Sequence, residues 1–226
     1  MLESWPLHVL NMVMIALLSV PFERKLMAEP GENYNPYQSM ADFFVKPGDP
    51  EIGGSLNGLT MLGDFEADSD RSLYRLIYFG TSYRIGSCAS DLLVIQRSIE
   101  LLKNRCGTDV ANLILPILVY PEGGVHSGQP ATNLMSYVTA ADARIFGVSG
   151  PAKVVFAIAN GYGATYELDE NGLVTSHTRS SYLMGPDGKN LAIFDDGTPF
   201  GLITGRLIEE FRLDSILQKN QTPGCY

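Results

Sequence analysis

Leu76-Ile77-Tyr78-Phe79-Gly80-Thr81-Ser82-Tyr83-Arg84-Ile85-Gly86-Ser87-Cys88 is the stretch whose reading decides the fold. Its first half has the mixed aliphatic and aromatic content of a buried strand. Its middle is a short loop carrying Gly80 and Gly86. Its end opens a helix, because Leu92, Ile95, Ile99 and Leu102 recur on one helical face over residues 91–103. Cys88 therefore stands where a strand hands over to a helix. Free N–H groups and the positive end of the helix dipole meet there, and both favour a thiolate.

Working outward, residues 73–79 read as the buried strand and Gly107 as the residue that closes the helix. Residues 113–120 form a second apolar run of strand length, followed by the loop Pro121-Glu122-Gly123-Gly124-Val125-His126-Ser127-Gly128. Residues 132–143 and 152–160 read as helices, with Phe146-Gly147-Val148 as a short strand or turn between them. Residues 175–184 run through Gly185-Pro186-Asp187-Gly188 into 190–194, a hairpin with its turn residues in Pro-Asp-Gly order. Residues 203–217 close the pattern as an amphipathic helix. Upstream, residues 55–62 alternate as a strand or hairpin arm would, and residues 37–44 read as a short helix or a packed segment. The order predicts one α/β domain with a mixed sheet flanked by helices, which is the element order of the thioredoxin fold.

The bulk composition narrows the function. The chain has 226 residues, 45% of them hydrophobic and 18% charged, which suits a globular domain plus an N-terminal segment. A net charge of -9 with no basic stripe argues against nucleic acid as a partner. Cys88, Cys106 and Cys225 show no C-x-x-C and no zinc spacing, and three cysteines make no disulfide framework. Cys225, beside the final Tyr226, reads as a solvated tail residue. Residues 7–22 are almost uninterrupted apolar sequence, short of the ~20 needed to span a bilayer. They suit either an anchor or signal-like segment, or a helix packed on the domain. The expected organisation is an apolar anchor or signal-like segment over 1–27, a Pro- and Gly-rich linker over 28–51, a thioredoxin-like domain over 52–219 and a tail over 220–226.

Five blocks in order then resemble the Sco/SenC family of copper-binding cytochrome oxidase assembly proteins. They are Gly53-Gly54 with residues 56–61, Tyr78-Phe79-Gly80, Pro121-Glu122, Gly147-Val148-Ser149-Gly150, and His177-Thr178 followed by Tyr182-Leu183-Met184-Gly185-Pro186-Asp187-Gly188. The resemblance covers residues 52–211. It implies a loop carrying Cys-x-x-x-Cys after Tyr-Phe-Gly. Here the first cysteine position holds Arg84 and the second holds Cys88, while the family's histidine ligand falls on His177. The metal ligands it implies are thus Cys88 and His177. The implied cargo is a copper ion and the implied partner a copper acceptor such as an oxidase subunit. The implied setting is a membrane-anchored or exported domain facing the periplasm, or the intermembrane space in a eukaryote, held to the membrane through the N-terminal segment. Metal carriage rather than enzyme catalysis is the activity expected.

The chemistry leaves alternatives. Copper(I) favours soft thiolate, and imidazole suits copper in either oxidation state. Losing one thiolate weakens such a site, and the fixed positive charge of Arg84 works against a cation. The same charge would favour thiolate at Cys88, so a single-cysteine thiol-redox protein is a second reading. A thioredoxin-fold scaffold with no metal chemistry is a third. Cys106, some 18 residues and ~27 Å along the helix, is a poor partner for Cys88. His126 reads as a solvated loop residue, Glu122 carries no assigned role, and Asp195-Asp196-Gly197 reads as a turn.

Overall fold

The computed structural model describes residues 41–61, 72–81, 85–122, 145–217 and 225. The apolar segment 1–27, Arg84, His126 and the helix expected over 132–143 lie outside the described residues.

Alternation of side chains along the central strands builds the domain. In β3 (Tyr74–Phe79) Leu76 and Tyr78 face one way, Ile77 and Phe79 the other, and all four are buried. A strand buried on both faces needs helices on both faces. The sequence supplies them. Helix α1 (Ile85–Cys106) sets Cys88, Leu92, Ile95, Ile99 and Leu102 on the Leu76 and Tyr78 side. The short α2 (Thr108–Ala111) and the C-terminal helix bury Val110, Ala111, Ile203, Leu207 and Phe211 in the same layer. On the opposite face α3 (Ala152–Gly161) packs Val155 and Ala159 against Ile77, Ile117 and Val119. Here β4 is Ile114–Glu122 and the C-terminal helix, α4, is Phe200–Leu217.

Among the described residues the main sheet has seven strands. It comprises β1 (Val45–Pro47), β2 (Thr60–Met61), β3, β4, β5 (Phe146–Pro151), β8 (Ser181–Met184) and β9 (Asn190–Phe194), in the order β1-β9-β8-β3-β4-β5-β2. β3, β4 and β5 run parallel, whereas β8 pairs antiparallel with β3, with Leu76 opposite Leu183. A second, two-stranded sheet joins β6 (Tyr166–Leu168) to β7 (Val174–His177). The mixed α/β, thioredoxin-like reading of the sequence holds, including the Pro186-Asp187-Gly188 hairpin, where the Gly185 N–H donates to the Lys189 carbonyl at 2.8 Å.

Three details differ from the sequence reading. Val45–Pro47, inside the stretch 28–51 read as linker, is the edge strand paired with β9. Of residues 55–62, Thr60–Met61 pair as a strand, the chain before them turns at Asn57 and Gly58, and Leu62 lies outside the described residues. Cys225 is not a solvated tail residue. It is disulfide-bonded to Cys106 at the far end of α1 and packs partly buried against the core. The spacing rule failed because the two sulfurs are 119 residues apart in sequence and meet only once α1 and the tail are placed. Among the described residues, no helix is long and apolar enough to cross a membrane.

Candidate metal-binding site

Cys88 occupies the first turn of α1, at the carboxyl end of β3, where ligands gather in open α/β sheets. Gly80 follows β3 in close contact with its neighbours. A Cβ there would sit 2.8 Å from Leu118 and 3.6 Å from the Cys88 sulfur. The Gly80 carbonyl accepts from the Tyr166 hydroxyl at 3.0 Å, tying the small β6–β7 sheet to the loop. That sheet ends on His177, and its register sets Tyr166 opposite His177.

The structure brings the two sequence-predicted ligands together. Cys88 Sγ lies 3.6 Å from His177 Nε2. The His177 Nδ1–H donates to the Thr178 carbonyl at 2.9 Å, which turns the lone pair of Nε2 toward the sulfur. Tyr78 stands edge-on to the imidazole at 6.0 Å between ring centres, and Tyr166 lies against it at 5.9 Å. Burial among these rings holds the His177 pKa below its ordinary value, so the ring is neutral and able to donate. Cys88 is fully buried, and its thiol reaches the Thr81 carbonyl at 3.6 Å.

Burial pushes the Cys88 thiol up from its ordinary value. Burial therefore works against the thiolate expected at Cys88. Helix position alone does not ionise a sulfur that has lost its water, and a freely reactive single thiol does not fit this burial. Arg84, whose charge carried that expectation, lies outside the described residues.

Sequence reasoning missed three further side chains. The Tyr78 hydroxyl donates to Asp91 Oδ2 at 2.6 Å. Arg179 grips the same carboxylate with Nε at 2.9 Å and Nη2 at 2.5 Å, and reaches Asp196 with Nη1 at 2.9 Å. The signal was in the spacing: Asp91 is one helical turn beyond Cys88, and Arg179 is two residues beyond His177. Glu122 accepts from the Ser149 hydroxyl at 2.9 Å, and residues 195–198 form the expected turn.

One thiol and one neutral imidazole form a soft-to-borderline donor pair of the kind copper(I) takes. Metal bonds of about 2.3 Å to sulfur and about 2.0 Å to nitrogen together exceed the 3.6 Å between the atoms, so one ion can touch both without backbone movement. Among the described residues, no group of three or more His, Cys, Asp and Glu side chains is placed to hold a metal.

Comparison with known proteins agrees with the fold. The SCO1/SenC family profile matches residues 65–210. The mitochondrial SCO1 homologue of Mus musculus is 23% identical over 172 residues, covering 73% of this chain and 58% of that protein. The human homologue is likewise 23% identical, over 73% of this chain and 54% of its own length. The chain thus spans little more than half the length of these relatives. Among solved structures, yeast Sco1 with copper bound superposes with a TM-score of 0.58 at 19% identity, over 76% of this chain and 96% of that one. Bradyrhizobium japonicum ScoI with copper bound gives 0.55 at 21% identity, over 70% and 98%.

Proposed function

As the chain belongs to the SCO1/SenC family, we propose that it is a copper carrier that takes up Cu(I) on Cys88 and His177. The observation that carries this reading is the 3.6 Å approach of Cys88 Sγ to a His177 Nε2 whose lone pair is aimed at it. Uptake exchanges the thiol proton of Cys88 for the metal, while neutral His177 gives up none. Both donors lie on separate elements, so the ion bridges α1 and the β6–β7 sheet. The copper-bound state of two structurally similar proteins supports copper as the cargo. The acceptor in this reading is a copper centre of a respiratory oxidase. No substrate is transformed, so the chain acts as a carrier rather than an enzyme.

The proposed setting is a domain facing the periplasm or the intermembrane space, attached to the membrane through residues 1–27. The Cys106–Cys225 disulfide supports an oxidising compartment.

The test is an anaerobic Cu(I) titration of the full chain against a competing chelator, with Cys106–Cys225 oxidised and Cys88 reduced. One-to-one binding that disappears in Cys88→Ala and weakens in His177→Ala is the expected result. Uptake equal in the wild type and Cys88→Ala would remove the copper reading.

A further inference from the structure

The two donors belong to parts of the molecule that share no hydrogen-bond ladder. His177 ends β7, which pairs only with β6 in the small sheet, and residues 178–180 after it have no regular structure. Cys88 rides on α1. Besides the Tyr166–Gly80 hydrogen bond, a two-point ion pair joins these parts beside the donors. Arg179 Nε and Nη2 bind the two oxygens of Asp91 at 2.9 Å and 2.5 Å, and the same carboxylate accepts from the Tyr78 hydroxyl. Parallel bonds of this kind fix direction as well as distance.

The geometry points to Asp91 and Arg179 as positioning residues: a clamp that sets the approach of His177 to Cys88 without touching the metal. Two features separate it from an ordinary surface ion pair, which contributes little. The Asp91 side chain is only 15% exposed. Its carboxylate, carried on α1, also gathers bonds from two other elements: β3 through Tyr78 and the segment leading to β8 through Arg179. The third arm, Arg179 Nη1 to Asp196, anchors the guanidinium to the turn before α4. With only one thiolate in the donor pair, affinity depends on how closely the imidazole is held, so a positioning device has leverage here.

The inference rests on the copper reading for its main readout, and the experiment separates the two. Asp91→Asn, Arg179→Gln, Arg179→Lys and the double variant Asp91→Asn/Arg179→Gln are made in the full chain. Cu(I) affinity, Tm and the rate at which iodoacetamide alkylates Cys88 are then measured. Each single loss should weaken Cu(I) about tenfold or more, as removal of supporting residues around metal ligands does. The double variant should bind no worse than the weaker single, because the two residues act as one unit. Arg179→Lys, keeping the charge but one donor arm, should fall between. Unchanged affinity in both singles, or losses that follow Tm and simply add, would overturn the clamp. If the wild type takes up no Cu(I), the copper reading fails by itself and alkylation decides. Faster modification of Cys88 in both singles supports the clamp, and an unchanged rate overturns it.

Discussion

Helix α1 carries a cysteine at each end, and the two differ in every respect that matters. Cys88 at the start is a free thiol, sealed from water and facing an imidazole. Cys106 at the end is oxidised, half-buried, and closes the tail onto the domain through Cys225. The same element thus hosts a thiol that the proposed copper site needs reduced and a staple that must stay oxidised to hold. The difference does not come from the helix. It comes from what the rest of the fold delivers to each end: a neutral histidine to one, a second sulfur to the other. Separation along 18 residues of helix, about 27 Å, keeps them from exchanging.

The sharpest way to break this comparison is to remove one sulfur at a time. Cys88→Ala should abolish Cu(I) uptake and leave the Cys106–Cys225 bond intact, as read by mass spectrometry without reductant. Cys106→Ser should do the reverse. It opens a 119-residue loop, for which chain entropy sets a loss of about 5 kcal/mol as the upper end and roughly 2–4 kcal/mol is typical in urea unfolding. Its Cu(I) affinity, measured below the unfolding transition, should match the wild type. A Cys106→Ser variant that loses copper along with stability would show that the two ends are coupled.

Between these two ends the sequence was legible to different depths. The strand–loop–helix around Cys88 could be read because buried strands and helical faces repeat at periods local to the chain. The pairing of Cys88 with His177 is 89 residues long-range, and only the family resemblance placed both at one site. The Asp91–Arg179 clamp is equally long-range, and charged residues at those positions look like any solvated pair until the fold is known. Cys106 and Cys225 failed for a related reason: spacing rules recognise close cysteine pairs, and nothing local announces a bond across 119 residues. Val45–Pro47 was missed because an edge strand of three residues, flanked by Pro and Gly, carries too little alternation to stand out from a linker.

A smaller effect probes the junction just past Cys106. Gly107 has φ 89° and ψ 168°, a conformation open to glycine, and its N–H closes α1 by donating to the Lys103 carbonyl at 2.9 Å. No atom lies within 4 Å of a Cβ built there, so Gly107→Ala meets strain but no clash. The expected cost is about 1–3 kcal/mol in thermal or urea unfolding, with the disulfide still formed. Loss of the Cys106–Cys225 bond in this variant would mean that the glycine turn, rather than packing of the tail, brings the sulfurs together.

The gentlest test uses pH, because only one of the two ends can titrate. Cys106 and Cys225 are locked in a disulfide and carry no proton to lose. At the other end burial raises Cys88 above its ordinary 9.0 and lowers His177 below its ordinary 6.5. The folded protein then holds the Cys88 proton when the unfolded chain has released it, so this contribution is full below pH 9.0 and is lost as pH rises toward the folded value. For His177 the unfolded chain takes up a proton that the folded protein refuses. That contribution is full above pH 6.5 and is lost as pH falls toward the folded value. The stability profile should therefore carry a plateau between these limits, and the alkaline fall should shrink in Cys88→Ala while the acid fall remains. Copper adds the complementary sign, since displacing one thiol proton makes apparent affinity rise about tenfold per pH unit below the Cys88 pKa. An affinity independent of pH across that range would mean that the metal does not displace the Cys88 proton, and the contrast between the two ends of α1 would lose its chemical basis.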